Sequence, residues 1–410
     1  MRFEDYKFAD ELYRGIYELG FKRPTDIQYK SIPSILKGED VLAVAQTGTG
    51  KTAAFAIPIL ERLHEEKMNV RRPEGIRCII LVPTHELAIQ IANVFRTIGK
   101  YTRVQIMELI GGVDQDPQIA RLNKSVDVLI ATPGRMFDLI AQGHLKLNRI
   151  NTLILDEADH MLDLGFIKDI RDLTPKLPKF RQTLFFSATI NPKIKKLAYS
   201  LIKSSAIRIQ ISPKNPVAKN VNHALALVEM DDKRFFLERL INENEDAKVL
   251  VFVRTIVRAE RVVKAMERVN IDSASIHRDK TQKERNHILD DFRKGKNKVL
   301  IATDITARGI DIPNVEIVVN YDLPEKAENY VHRVGRTGRG KNKGYAISFA
   351  SPEEREVLTD IEDFLGQSIE RLEYTKADLK ETQLFSNEKT GDLSALQKAV
   401  QNMWMALPLT

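Results

Sequence analysis

Lys51 and Thr52 close the stretch AQTGTGKT (45–52), in which two glycines precede a lysine and a hydroxyl. It matches the phosphate loop G-x-x-x-x-G-K-[ST] except at its first position, where Ala45 stands. The backbone N–H groups of Gln46, Thr47, Gly48, Thr49 and Gly50, ahead of a helix N-terminus, would cradle phosphate oxygens. Lys51 would reach the β- and γ-phosphates, and the Thr52 hydroxyl would hold Mg2+. About a hundred residues further on, DEAD (156–159) ends another apolar run. Asp156 would hold the metal through water, and Glu157 would take the proton of an attacking water. The second half has no phosphate loop but offers HRVGRTGR (332–339), whose Arg336 and Arg339 are candidate arginine fingers, worth about 10³–10⁵ in rate where such fingers act. Taken singly, these are a glycine-rich turn, a helix cap and a basic turn facing solvent or a generic anion. Together they describe hydrolysis of a Mg2+-bound nucleotide such as ATP.

Such residues need a scaffold that presents loops at one end. Val-, Ile- and Leu-rich runs recur at 40–45, 78–82, 128–131, 152–155 and 183–186, then at 249–253, 299–302, 315–319 and 345–349. Helix-period segments such as TAAFAIPILERLHEE alternate with them, and Pro58 is expected to kink or end that one. Continuously apolar strands alternating with helices predict an α/β fold with mainly parallel sheets covered on both faces. VLIAT occurs at 128–132 and again at 299–303, a spacing of 171 that suits two tandem domains and no solenoid repeat. We expect domains at 1–210 and 221–375, a linker at 211–220 where ISPKNPVAKN lacks periodicity, and an extension at 376–410 with Trp404 in a small apolar cluster.

Composition narrows the class. A hydrophobic content of 43% and a charged content of 29% are those of a globular protein. One cysteine, Cys78 within CIILV, excludes a disulfide framework and a Cys-based metal site, and reads as a small buried hydrophobe. The charged N-terminus lacks an apolar signal core, and no run approaches the ~20 apolar residues of a membrane span, so a soluble cytoplasmic protein is expected. The net charge of +7 favours a polyanionic partner.

With GFKRPTDIQ (20–28), PTHELA (83–88), Gly111–Gly112, TPGR (132–135), SAT (187–189) and ATDITARGID (302–311) added, the chain resembles the DEAD-box ATP-dependent RNA helicases over residues 1–375. Its short tail is most similar to the small bacterial RhlE-type branch. The resemblance implies two RecA-like domains that close on ATP and single-stranded RNA and unwind short duplexes locally. It implies that Gln28 reads adenine, Phe3 stacks on the base, Thr25 supports that loop, Asp311 contacts the ribose and Gly309 the phosphate region. Ser187, Thr189, Asp159 and His332 would couple hydrolysis to RNA. RNA would cross Pro83, Thr84, Gly112, Thr132, Arg135, Arg254, Gln282, Arg285, Thr303 and Asp304. These hydroxyls, glycines, amides and arginines grip phosphate and sugar, so binding independent of sequence is expected, with 2′-hydroxyls separating RNA from DNA. His85 stands where the family usually has arginine, so RNA affinity is expected to be lower or mildly pH-dependent. Arg278 stands where the family usually has glycine, and either adds a phosphate contact or hinders close approach. His160 reads as a helix residue without a role. An ATP-gated RNA clamp is the alternative to an unwinding enzyme.

Overall fold

The computed structural model describes residues 2–46, 48–69, 75–211, 217, 220–307, 315–338, 343–372, 382 and 386. Thr47, Gly309, Asp311, Arg339 and Trp404 lie outside these, with most of 211–220 and of 376–410. The chain divides into two compact units between Lys214 and Asn215. The first unit holds β1 (Val41–Ala45), β2 (Cys78–Leu81), β3 (Ile106–Leu109), β4 (Val128–Ala131), β5 (Thr152–Leu155), β6 (Gln182–Ser187) and β7 (Ile207–Ile211). The second holds β8 (Val221–Leu227), β9 (Val249–Val253), β10 (Ser273–Ile276), β11 (Val299–Thr303), β12 (Ile317–Asn320), β13 (Gly344–Ala350) and β14 (Glu370–Leu372).

Each sheet has seven strands, ordered β3-β4-β2-β5-β6-β1-β7 and β10-β11-β9-β12-β13-β8-β14, and every pairing is parallel. Adding seven to each strand of the first order gives the second, so the units share one topology. The two VLIAT copies, β4 and β11, hold the same place in their sheets.

Alternation along each strand supplies both faces of the sheet. On β6, Leu184 and Phe186 join one core with Phe55, Phe95 and Ile91, while Phe185 joins the other with Met136, Met161 and Leu197. Helices cover both faces, as parallel strands buried on both sides require. Pro58 does not end its helix, which runs Lys51–Asn69. The one backbone bond that proline removes is outweighed by a helix whose residues 53–61 are all buried. Cys78 is buried, and burial pushes its thiol pKa up. Among the described residues no helix is long and apolar enough to cross a membrane.

Candidate active site

The phosphate loop leaves β1 at Ala45 and enters the helix at Lys51. Gly48 (φ 81°) and Gly50 (φ 91°) adopt left-handed backbone, and a side chain on Gly50 would meet Gln28 Nε2 at 2.6 Å. Gly50 is therefore the point where this loop touches the segment around Gln28. Gln28 accepts the Thr25 N–H through Oε1 (2.9 Å) and donates from Nε2 to the Gly50 carbonyl (3.2 Å). Thr49 Oγ1 donates to the Gln46 carbonyl at 2.8 Å. Lys51 is buried, and its Nζ donates to the Ala45 carbonyl at 2.7 Å, so the residue departing from the glycine pattern holds the lysine by its backbone.

At the end of β5, Asp156 is 3% exposed, and burial pushes its carboxyl up to about 7, with Lys51 opposing and Glu157 adding to the rise. Glu157 sits at φ 51°, ψ 48°, a left-handed conformation that costs a non-glycine residue of order 1–3 kcal/mol. Its N–H donates to Asp156 Oδ1 (3.0 Å), and the helix Ala158–Asp163 begins beyond it. His160 Nδ1 lies 3.4 Å from Glu157 Oε2, one helical turn on. Asp159 Oδ2 accepts three bonds from the loop after β6: Ala188 N–H (3.2 Å), Thr189 N–H (3.0 Å) and Thr189 Oγ1 (3.1 Å). Ser187 Oγ donates to the Thr189 carbonyl at 2.8 Å. The DEAD and SAT segments are thus joined through one carboxylate.

The remaining candidates of the first unit follow β2, β3 and β4, three adjacent strands. Pro83 and Thr84 follow β2, and Thr84 Oγ1 caps the helix His85–Ile98 by accepting the Leu87 N–H at 3.3 Å. Gly112, with φ 71°, follows β3. Thr132 follows β4, and Arg135 Nη2 donates to the Val113 carbonyl at 2.8 Å while its buried Nη1 has no hydrogen-bond partner. The ring of His85 packs beside Gly111.

The second unit repeats this layout, with Arg254 after β9, Gln282 and Arg285 after β10, and Thr303 and Asp304 at the end of β11. Gln282 Oε1 accepts from Arg285 Nη2 at 2.6 Å. Thr303 Oγ1 lies 3.4 Å from Thr306 Oγ1. His332 and Arg336 follow β12, and Arg336 Nε donates to the His332 carbonyl at 3.2 Å. Arg278 is exposed beside Asp279, at 3.6 Å.

Known protein families match this chain in both units. Residues 25–197 match the model of the DEAD/DEAH box helicase family, and residues 232–341 that of the helicase conserved C-terminal domain. The chain is 36% identical over 372 residues to the ATP-dependent RNA helicase DbpA of Bacillus subtilis, covering 90% of this chain and 76% of that protein. The chain belongs to the DEAD-box helicase family. It is 37% identical to the DEAD-box ATP-dependent RNA helicase CshA of the same organism, covering 90% of this chain and 74% of the relative. Among solved structures it is similar to S. cerevisiae Dbp5 bound to RNA and ADP BeF3, with a TM-score of 0.82, 31% identity and coverage of 93% and 98% of the two chains. A deletion form of Mss116p bound to ssRNA and AMP-PNP gives a TM-score of 0.82 at 26% identity, covering 98% and 85%.

In this DEAD-box chain Phe3 departs from its expected role. It is 1% exposed, joins the hydrophobic core and lies 6.4 Å from Phe21, ring centroid to centroid, so it offers no open face to a base. An apolar ring close to a chain terminus gives no sequence cue to whether it is covered. Three residues of the second unit escaped the sequence reading. Arg333 is 1% exposed and grips Asp304 with two bonds, Nε to Oδ1 (2.6 Å) and Nη2 to Oδ2 (2.7 Å), so Asp304 is held by protein. Lys233 stands six residues beyond the end of β8, as Lys51 stands six beyond the end of β1, and each opens a helix. Lys233 faces Glu354 Oε2 at 2.6 Å, and Glu354 Oε1 accepts from Arg254 Nη2 (3.0 Å) and the Leu323 N–H (3.0 Å). Where Lys51 of the first unit bonds a backbone carbonyl, the equivalent lysine of the second unit meets the chain's own carboxylate. The absence of a glycine-rich loop after β8 was the signal in the sequence; the partner of Lys233, 121 residues away, was not readable there.

Proposed function

We propose that this chain is an ATP-dependent RNA helicase, in which RNA-stimulated ATP hydrolysis drives closure of two RecA-like domains on single-stranded RNA and local unwinding of short duplexes. The observation carrying this reading is the division of each sheet. Candidate nucleotide residues follow β1 and β5, candidate RNA residues follow β2, β3 and β4, and Asp159 bonds the coupling loop after β6 to the loop after β5. The second sheet repeats the RNA half at β9, β10 and β11.

The donor set fits a Mg2+–triphosphate. The Thr52 hydroxyl and the Asp156 carboxylate are hard oxygen donors, and Lys51 and the loop amides suit phosphate. When bound, Mg2+ would neutralise charge developing on the phosphates. Lys51 holds the β- and γ-phosphate oxygens, Glu157 takes the proton of the attacking water, and Arg336 with Arg339 supplies positive charge to the transition state. Gln28, Thr25, Gln46, Thr47, Gly48, Thr49 and Gly50 are the remaining nucleotide-site candidates, to which the family resemblance adds Gly309 and Asp311. Asp159, Ser187, Thr189 and His332 link that site to the RNA path of Pro83, Thr84, Gly112, Thr132, Arg135, Arg254, Gln282, Arg285, Thr303 and Asp304. Intact Glu157 and Arg336 favour turnover over a permanent clamp. Domain limits at 1–210 and 221–375, membership of the RhlE-type branch and a cytoplasmic location belong to the same proposal; the buried free thiol suits a reducing compartment.

Glu157→Gln tests the reading. Phosphate release should fall about 10²–10⁴-fold while ATP and RNA binding persist. Hydrolysis at the parental rate would remove Glu157 from the role of base. In parallel, ATP-dependent strand release from a short RNA duplex should be seen with the parent chain and lost with the variant.

A further inference from the structure

The net charge of +7 has one local source. From Leu173 to Val228 the chain carries ten Lys and Arg and no Asp or Glu, where its own average would place about eight acids. Removing those ten from 63 basic residues leaves 53 against 56 acidic ones, so the rest of the chain has a net charge of −3. The motifs of the nucleotide and RNA sites sit in that slightly acidic remainder, apart from the SAT segment.

Structure gathers part of this run on one face of the first unit. The helix Pro192–Leu201 turns Ile194, Leu197, Ala198 and Leu201 into the core and leaves Lys193, Lys195, Lys196 and Tyr199 exposed. Next to it β7, the edge strand, exposes Arg208, whose guanidinium lies 4.9 Å from the Tyr199 ring centroid; Lys195 Nζ lies 5.9 Å from the same ring. Among the described residues no carboxylate lies within 4.0 Å of the charged groups of Lys193, Lys195, Lys196 or Arg208. Cations three residues apart on a helix, with no acid between them, repel each other at a small cost in stability. An aromatic ring among unpaired cations suits a nucleic-acid strand, which offers phosphates to one and bases to the other.

The place of this face says which part of an RNA it could meet. The candidate RNA residues of this unit follow β2, β3 and β4, and β7 lies four strand positions from β2, the nearest of these. At ~4.8 Å per strand the separation is roughly 19 Å. We propose that Lys193, Lys195, Lys196, Tyr199 and Arg208 form a second RNA contact, which binds the sugar–phosphate backbone of a strand continuing beyond the helicase path. This rests on the helicase reading for the path it extends. Spanning the gap takes roughly six nucleotides at ~3.4 Å each, so a short RNA filling only the path cannot reach the face.

The test compares the full chain with the triple variant Lys193→Gln/Lys195→Gln/Lys196→Gln and, separately, Arg208→Gln, on RNAs of about 8 and about 30 nucleotides. Affinity of the triple variant for the long RNA should fall at least about tenfold, and its log K against log salt slope should flatten by about 2, near 0.7 per lost phosphate contact. Affinity for the short RNA and its stimulation of ATP hydrolysis should stay at parental values, which also reports an intact fold. Arg208→Gln, on a different element, should weaken the long RNA alone. Unchanged long-RNA binding, or equal losses on both RNAs, would overturn the proposal. So would loss of binding to phosphatidylserine vesicles with RNA binding intact, which would make the face a membrane contact. A parent chain whose ATP hydrolysis neither RNA stimulates would instead sink the helicase reading.

Discussion

Asp156 and Glu157 are neighbours in sequence, yet their surroundings give them different work. Asp156 ends a buried strand, and loss of hydration pushes its pKa up to about 7. The raised value makes the protonated form dominant below about 7, whereas metal binding needs the carboxylate. ATP hydrolysis by the parent chain should therefore fall about tenfold per unit as pH drops below 7, and raising Mg2+ at pH 6 should restore part of it because metal and proton compete. A pH–rate profile at two Mg2+ concentrations checks this; profiles that superimpose would remove Asp156 as the metal-linked group. Glu157 gains its position from backbone strain. Glu157, two residues past the central strand β5, takes the left-handed conformation that ends the strand and begins the helix Ala158–Asp163, and His160 lies beside it from one turn further on.

At the scale of elements, buried charges staple segments together. Glu61, on the helix Lys51–Asn69, accepts the Ala9 N–H at 2.9 Å and so ties down the N-terminal segment. It is 3% exposed, and desolvation pushes its pKa up to about 7. A raised native pKa gives a contribution to stability that is full below the unfolded value near 4.5 and lost as pH rises through about 7. Glu61→Gln should thus match the parent in urea midpoint near pH 4 and exceed it at pH 8; equal midpoints at both would show that Glu61 is not desolvated. In the second unit Lys233 and Glu354 form the corresponding staple. Burial lowers the Lys233 pKa, and Glu354 opposes that shift. Glu354→Gln leaves the buried Lys233 ammonium with only Asp322, 3.9 Å away, as counter-charge and should cost about 3 kcal/mol in urea unfolding. Adding Lys233→Met should recover part of the loss; additive losses would show that the two groups act independently.

For the whole molecule the expected division is a lysine and carboxylates in one unit and arginines in the other. Arg336→Ala should slow hydrolysis about 10³-fold while changing ATP affinity far less, read by single-turnover kinetics beside equilibrium titration. An unchanged rate would take Arg336 out of the transition state. The repeated strand order gives this division a physical basis. One topology, used twice, presents loops at the carboxyl ends of matching strands. The first copy keeps a glycine-rich loop and a lysine held by the Ala45 backbone carbonyl, and the second closes the same place with Glu354.

What the chain's letters determined by themselves were the continuous apolar strands and the loops after them. Central strands such as β5 and β9 read plainly because both of their faces are buried. β3, β7, β10 and β14 did not, because they lie at sheet edges, where outward positions accept polar residues, as Arg208 and Gln210 do on β7. β8 escaped for a similar reason, carrying Asn222 and His223 in its first half. AQTGTGKT and DEAD were legible since their chemistry depends on residues adjacent in sequence, held by a few local dihedral angles. Tertiary structure alone decided the covering of Phe3, the grip of Arg333 on Asp304 and the meeting of Lys233 with Glu354. Each of these joins or buries groups far apart in the chain, and desolvation and pairing are set by which segments the fold brings together, which no local spacing records.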